Sequence, residues 1–178
     1  MTYLSAHLTG GLRLISTSAA AYFTSAVLLG IAVVPATLRS YQLFTGTGTA
    51  WMELLVELLR ATLIIAMIAI GRGWNAPSLF AGNRWRSVGA DIAHAVRTGW
   101  PAILIELAVV TLVALAVNAV LATLINDGTV RALLDAAHLH AAPAPQTADA
   151  ITFAIKNLVV IPLYVMATLH SIHAVPPT

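Results

Sequence analysis

The sequence contains no cysteine and very little charge. The absence of cysteine excludes disulfides, thiolate metal sites and a cysteine nucleophile, and it leaves the redox compartment undetermined. Charged residues make up only 9% of the 178 residues, and hydrophobic residues make up 59%. An average soluble domain has roughly one quarter charged residues. With a mean hydropathy of +0.87, this composition is typical of a membrane protein.

The sequence also lacks the motifs of common chemistries. The segment GTGTAW at 46–51 has no lysine and follows no predicted strand, so it is not a phosphate-binding loop. Neither a nucleophile elbow nor an HExxH helix is present. The basic segment RWR at 84–86 is better explained by anionic lipid headgroups than by nucleic acid. We therefore expect no enzyme activity, no cofactor and no nucleic-acid partner.

Long apolar runs dominate what remains. About 20 residues at 1.5 Å per residue cross a hydrocarbon core of roughly 30 Å. Four runs reach that length: residues 15–38, 51–70, 101–125 and 150–170. A cleaved signal sequence is the alternative for the first run, but that run is longer than a signal core and its leader is weakly basic. The sequence therefore predicts an all-α, polytopic membrane protein, with residues 1–178 forming a single four-helix transmembrane domain.

Local patterns refine this prediction. In residues 88–99 and 129–140, apolar positions spaced by three and four alternate with charged ones, which predicts two short helices lying in the membrane interface. Pro162 removes one backbone hydrogen bond from the fourth run, so we expect that helix to kink there.

The distribution of arginine predicts the orientation. The loop at 71–100 carries four arginines and one aspartate, whereas the loop at 126–149 carries one arginine and three aspartates. By the positive-inside rule, the first loop and both termini are cytoplasmic. The excess of arginine over lysine favours a bacterial source, and hence the bacterial inner membrane. We expect the arginines of the first loop to contact lipid headgroups: Arg72, Arg84, Arg86 and Arg97.

Three ionisable residues crowd the start of the second run. Glu53, Glu57 and Arg60 are spaced by four and three, so they fall within an arc of about 60° on one helical face. Lys156, the only lysine, stands at the depth of Glu57 in the fourth run. Because the formal charges of these four residues sum to zero, we interpret them as a structural ion-pair cluster in which Glu57 pairs with Arg60, Lys156 or both. A translocation path remains the alternative.

Glu106 lies near the cytoplasmic end of the third run without a cation at its depth. Arg97, Arg72 or a basic residue of another subunit could meet it. We interpret Glu106 as a carboxylate paired with a partner, and a proton-carrying carboxylate of a transporter is the alternative.

Small and polar residues on two of the runs predict helix-packing seams, because membrane helices associate through close packing and a few hydrogen bonds. On the first run the seam is Ala26 and Gly30; on the third it is Thr111, Ala114, Asn118 and Ala122.

Histidines form two weak groups. Asp135, His138 and His140 could be read as metal ligands, as could His170 with His173, but such a site needs three or four convergent ligands. We interpret all of them as solvated interfacial histidines and expect no metal.

These features predict a non-catalytic accessory or scaffolding subunit of a larger bacterial inner-membrane complex, plausibly a transporter assembly. Its partners would be membrane lipids and larger integral-membrane subunits. The alternative is a small homo-oligomeric transporter or channel that uses the intramembrane Glu, Arg and Lys residues.

Overall fold

The computed structural model describes residues 2–176, with side chains from residue 7 onward, and all regular structure in that part of the chain is helical. The α-helices are α1 (Thr2–Phe23), α2 (Ala26–Thr45), α3 (Ala50–Gly71), α4 (Gly82–Leu124), α5 (Asp127–Ala136), α6 (Ala144–Ile155) and α7 (Ile161–Ser171). A 3-10 helix at Ala76–Phe80 precedes α4, and a π-helical turn at Lys156–Val160 joins α6 to α7.

Four helical stretches are long and apolar enough to cross a membrane. They are Ala26–Thr45, Ala50–Gly71, Gly82–Leu124 and the continuous Ala144–Ser171. The third stretch is divided, because Gly99 has non-helical dihedral angles (φ −132°, ψ 16°) two residues before Pro101. The residues predicted as a separate interfacial helix, 88–99, therefore lie in the first part of α4, and the predicted span begins just after the kink.

The first span differs from the predicted 15–38, because the chain breaks between α1 and α2. Ser25 has an extended backbone (φ −94°, ψ 98°), and its hydroxyl accepts the Leu28 amide at 3.4 Å. The Thr24 hydroxyl donates to the Ala20 carbonyl at 2.8 Å. Short hydroxyl side chains that bond nearby backbone groups favour helix ends over helix interiors. The candidate span is consequently Ala26–Thr45, and α1 is an additional helix before it.

The helices run between two ends, which we name the α5 end and the C-terminal end. The α5 end holds the loop at 46–49, α5 and the start of α6; the C-terminal end holds the 3-10 helix and residues 172–176. Helix α2 packs against α3 and α6, whereas α1 packs against α4 and α7. Helices α4 and α7 are antiparallel, since Glu106 contacts Ser171 and Thr111 contacts Tyr164.

The main hydrophobic core lies toward the C-terminal end. Its fully buried side chains include Tyr22, Leu28, Met67, Met166 and Val175. Residues 172–176 complete this core by folding back: the Val175 amide donates to the Leu169 carbonyl at 3.1 Å. Gly71 permits the approach, because a Cβ at this position would overlap the Val175 side chain.

Pro162 produces the irregularity between α6 and α7. Proline has no backbone N–H, so the Leu158 carbonyl loses the donor that an α-helix supplies from four residues later. The Tyr22 hydroxyl of α1 donates to this carbonyl at 2.8 Å. Just before Pro162 the helix widens into the π-turn, in which the Ile161 amide donates to the Lys156 carbonyl. The orphan carbonyl thus becomes the point at which α1 is bonded to the helix.

We predict that Tyr22→Phe lowers the free energy of unfolding by about 1–3 kcal/mol, because it leaves the partly buried Leu158 carbonyl without a donor. In a Pro162→Ala background the cost should fall below about 1 kcal/mol, since the alanine introduced there can supply a backbone amide to the same carbonyl. Denaturant unfolding of the four proteins in detergent forms the double-mutant cycle. Equal costs of Tyr22→Phe in both backgrounds would contradict the assignment.

Candidate functional site

Charged side chains gather toward the α5 end, where α2, α3 and the π-turn meet. Arg39 on α2 forms an ion pair with Glu53 on α3, and the same nitrogen donates to Gln42 Oε1 at 3.2 Å. The guanidinium carbon of Arg39 also lies 5.7 Å from the ring centroid of Phe153, within cation–π range. One arginine therefore connects α2, α3 and α6.

Arg60 makes the second connection. Its Nη1 donates to Glu57 Oε1 at 2.5 Å, and its Nη2 donates to Asn157 Oδ1 at 2.7 Å. Asn157 is held in turn by the Phe153 carbonyl, to which its amide donates at 2.9 Å. Arg60 thus links α3 to the π-turn by charge-assisted hydrogen bonds, which are roughly twice as strong as neutral ones.

Lys156 does not pair with these acids. Within residues 2–176 it forms no ion pair with a carboxylate, so of the two partners expected for Glu57 only Arg60 is found. Arg39 takes part instead, so this region holds three cations and two carboxylates rather than a balanced set. Arg39 and Glu53 lie on either side of the short loop at 46–49, which joins the antiparallel helices α2 and α3. Residues at similar distances from such a loop face each other, so this spacing could have predicted the Arg39–Glu53 contact.

The carboxylates of this region are more exposed than the arginines. The side chain of Glu57 is 62% exposed and that of Glu53 is 46% exposed, whereas Arg60 is 31% exposed. The arginines therefore cross-link helices while the acids face outward. Among the described residues no group of three or more His, Asp or Glu side chains converges as metal ligands, either here or at Asp135, His138 and His140. His140 instead lies 3.1 Å from Asp135 on the exposed surface.

Glu106 occupies a second polar site, between α1, α4 and α7. The Ser171 hydroxyl donates to its Oε2 at 3.1 Å, and the Nδ1 atom of His7 lies 3.9 Å from its Oε1. A Cβ at Gly10 would lie 3.4 Å from Oε1, so Gly10 keeps α1 close to the carboxylate. A hydroxyl and an imidazole therefore stand where the sequence suggested an arginine.

His170 lies next to this site and is 3% exposed. Its Nδ1 is 3.0 Å from the Ser18 hydroxyl, and its buried Nε2 has no hydrogen-bond partner among the described residues. The interpretation of His170 as a solvated interfacial residue is thus wrong, because its side chain is buried in contact with Ser18 of α1. His173 is exposed and agrees with that interpretation.

Arg72 is held by protein rather than by lipid. Its Nε donates to the Ala174 carbonyl at 2.6 Å, and its Nη2 donates to the His173 carbonyl at 3.0 Å and to Asp91 at 2.9 Å. Its side chain is only 11% exposed. The expected headgroup contact is therefore corrected for Arg72, which satisfies carbonyls just after α7. Arg84, Arg86 and Arg97 are exposed on α4.

Only some residues of the predicted packing seams are partly buried. Thr111, Ala114 and Asn118 are half-buried, and the Thr111 hydroxyl lies 3.4 Å from that of Tyr164. Ala122 and Ala26 are exposed, as is Gly30, where a Cβ would meet nothing within 4 Å.

A close approach between helices involves Gly11, which sequence reasoning missed. A Cβ at Gly11 would lie 2.8 Å from the Val109 side chain, so only glycine lets α1 reach α4 at this point. The adjacent glycines at 10–11 were the available signal, because small residues mark close helix contacts in membranes.

We predict that Arg72→Gln lowers the free energy of unfolding by about 2 kcal/mol, because the carbonyls after α7 and Asp91 lose their charged donor. Amide hydrogen exchange should rise first in residues 172–176. Arg84→Gln is the matched control on the same surface and should change stability by less than about 0.5 kcal/mol. Equal effects of the two substitutions would show that the contacts of Arg72 are not structural.

Comparisons of the chain with models of protein families, with curated proteins and with solved structures found no match. The chemistry of both polar sites therefore rests on their own geometry.

Proposed function

We propose that this chain is a polytopic membrane protein that serves as a non-catalytic accessory subunit of a larger membrane complex, plausibly a transporter assembly. In this arrangement the four candidate spans cross a bacterial inner membrane, and the C-terminal end, with both termini, faces the cytoplasm. The exposed Arg84, Arg86 and Arg97 then meet anionic headgroups on the cytoplasmic side.

The exposure of α4 supports this proposal most directly. Only 6% of the most apolar part of α4 is buried, against 28% for each of the other three candidate spans. Helix α1 contacts α4 at Val109, opposite Gly11, and at Glu106, in the half of the span assigned to the cytoplasmic side. Large apolar side chains farther along α4 are exposed, among them Leu112, Leu115, Val120 and Leu124. A neighbouring subunit would cover a span that its own chain leaves nearly bare.

The outward-facing carboxylates provide a second argument. Glu53 and Glu57 are 46% and 62% exposed in the first turns of α3. A charged side chain that faces lipid within a span is costly by some kcal/mol, so such residues normally face protein or water. A partner span that offers hydrogen-bond donors to these acids would remove that cost.

The contacts of the charged residues at the α5 end provide a third argument. The polar groups at the α5 end are occupied in arginine pairs that bridge α2, α3 and α6. These pairs hold the helices of the chain in position. In the proposed role, the chain in turn positions the other subunits of the complex.

We expect a photoreactive amino acid at Leu112, which is 66% exposed, to cross-link the chain in native membranes to unlike proteins of larger size. The matched control is the same amino acid at Val109, which is 8% exposed against α1 and should yield little product. Mild-detergent purification should recover the same proteins in fixed ratio. Recovery of a pure homo-oligomer, without unlike cross-links, would refute the accessory role.

A small homo-oligomeric transporter is the second candidate function, and one observation favours it. Glu106 is a half-buried carboxylate next to an imidazole and a hydroxyl, a combination that can accept and pass on a proton.

For a proton-linked transporter, Glu106→Gln should reduce flux into reconstituted vesicles by at least tenfold while the protein still assembles. Ser171→Ala, which removes the hydrogen bond but keeps the carboxylate, should retain most of the flux. An unchanged flux in Glu106→Gln, or no flux by the wild-type chain, would exclude this candidate.

A further inference from the structure

We propose that the groove between α4 and the π-turn binds an anionic phospholipid, with one acyl chain in the groove and the phosphate at Lys156. The proposal rests on the membrane-spanning arrangement described above, but it does not depend on the accessory role.

The groove opens at the surface of the bundle beside the π-turn. One cavity of about 150 Å³ is lined by Ile15 of α1, by Val110 and Val117 of α4, and by Val160 and Tyr164 on the opposite side. A second cavity of about 240 Å³ shares Ala114, Val160 and Tyr164 with the first, and extends it to Asn118 and Ile161. Together the two cavities follow α4 from Val110 to Asn118, about 12 Å along its axis.

Lys156 stands one turn beyond the groove, toward the α5 end. In the π-turn the Ile161 amide donates to the Lys156 carbonyl, so Lys156 lies above Val160 and Ile161 on one face of the helix. Both of these residues line the groove. The same bulge that Pro162 causes therefore places a cation over the apolar lining.

The depth of Lys156 suits a phosphate group. The antiparallel contacts of Glu106 with Ser171 and of Thr111 with Tyr164 place Lys156 opposite Asn118 to Val120 of α4. That position is about 6–9 Å below the end of α4 at Leu124. A lysine at this depth extends its ammonium toward the headgroup region while its methylene stem covers apolar surface.

The charge balance calls for an anion at this point. Arg39 and Arg60 are neutralised by Glu53 and Glu57, whereas Lys156 has no carboxylate partner within residues 2–176. The region therefore carries one excess positive charge at the mouth of the groove. An anionic headgroup supplies the missing charge, and the acyl chain attached to it fills the apolar space below.

The shape of the groove favours an acyl chain over a protein helix. A helix with its side chains is about 10–12 Å wide, and close helix packing in membranes uses small residues. The walls of the first cavity are mostly valine and other branched or aromatic side chains, and its volume is about 150 Å³. A single hydrocarbon chain can occupy a cavity of this volume, whereas a helix of that width cannot enter it.

The test measures binding of phosphatidylglycerol and of zwitterionic phosphatidylcholine to the purified full chain, by native mass spectrometry from mixed micelles. The wild-type protein should prefer phosphatidylglycerol. Lys156→Gln should weaken phosphatidylglycerol binding about fivefold, because one lysine near the headgroups contributes about 1 kcal/mol. Phosphatidylcholine binding should weaken less, because its choline ammonium already offsets the charge of the phosphate. Arg131→Gln, which removes an exposed cation from α5, is the charge control and should have no effect.

A second pair of variants tests the groove itself. Ala114→Leu fills the space shared by both cavities and should weaken both lipids, whereas Ala122→Leu, on an exposed part of the same helix, should weaken neither. Glycerol phosphate, which has the headgroup chemistry without acyl chains, should not displace the lipid.

Several results would overturn the lipid site. These are no preference in the wild-type protein, a preference that survives Lys156→Gln, tight binding of glycerol phosphate alone, or loss of a bound protein instead of lipid in Ala114→Leu. Alkaline extraction of native membranes separates these outcomes from failure of the membrane arrangement. A chain that is washed out by alkali is not membrane-spanning, whereas a retained chain without lipid selectivity refutes only the groove proposal.

Discussion

The bond from the Tyr22 hydroxyl to the Leu158 carbonyl is the interaction on which the arrangement of the helices depends. In an apolar bundle a free carbonyl is costly, since no water is present to satisfy it. Pro162 leaves the carbonyl without its helical donor, and α1 provides one from a side chain that is completely buried. The break at Thr24 and Ser25 then lets the chain leave α1 and start α2 on the other side of the core. The irregularity that precedes Pro162 thereby fixes the position of α1.

The charged residues serve the same purpose at the two ends of the bundle. Near the α5 end, Arg39 joins α2 to α6, and Arg60 joins α3 to the π-turn. At the C-terminal end, Arg72 joins the end of α3 to the segment after α7. Each guanidinium has several acceptors, so its planar fork of donors is used in more than one direction. Charges that would be unfavourable in hydrocarbon thus become connections between helices.

The same arrangement of helices leaves most of the apolar part of α4 exposed. Helix α1 approaches α4 closely at Gly10 and Gly11, and farther along α4 the apolar groove lies between α4 and the π-turn. The bare face of α4 is a consequence of a bundle in which only a small part of the third candidate span is packed. The proposed subunit contact and the proposed lipid site therefore both use one incompletely covered helix.

The sequence by itself determined the helical class and the number of candidate spans, because apolar runs of sufficient length can satisfy their backbone only as helices. It also contained the spacing that pairs Glu57 with Arg60, since residues three apart are neighbours on any helix. Only the tertiary structure decided that Arg39 replaces Lys156 in the ion pairs, that Ser171 and His7 meet Glu106, and that His170 is buried. Those contacts join residues far apart in the chain, so they depend on which helices pack together and at what register, and hydrophobic periodicity carries no information about either.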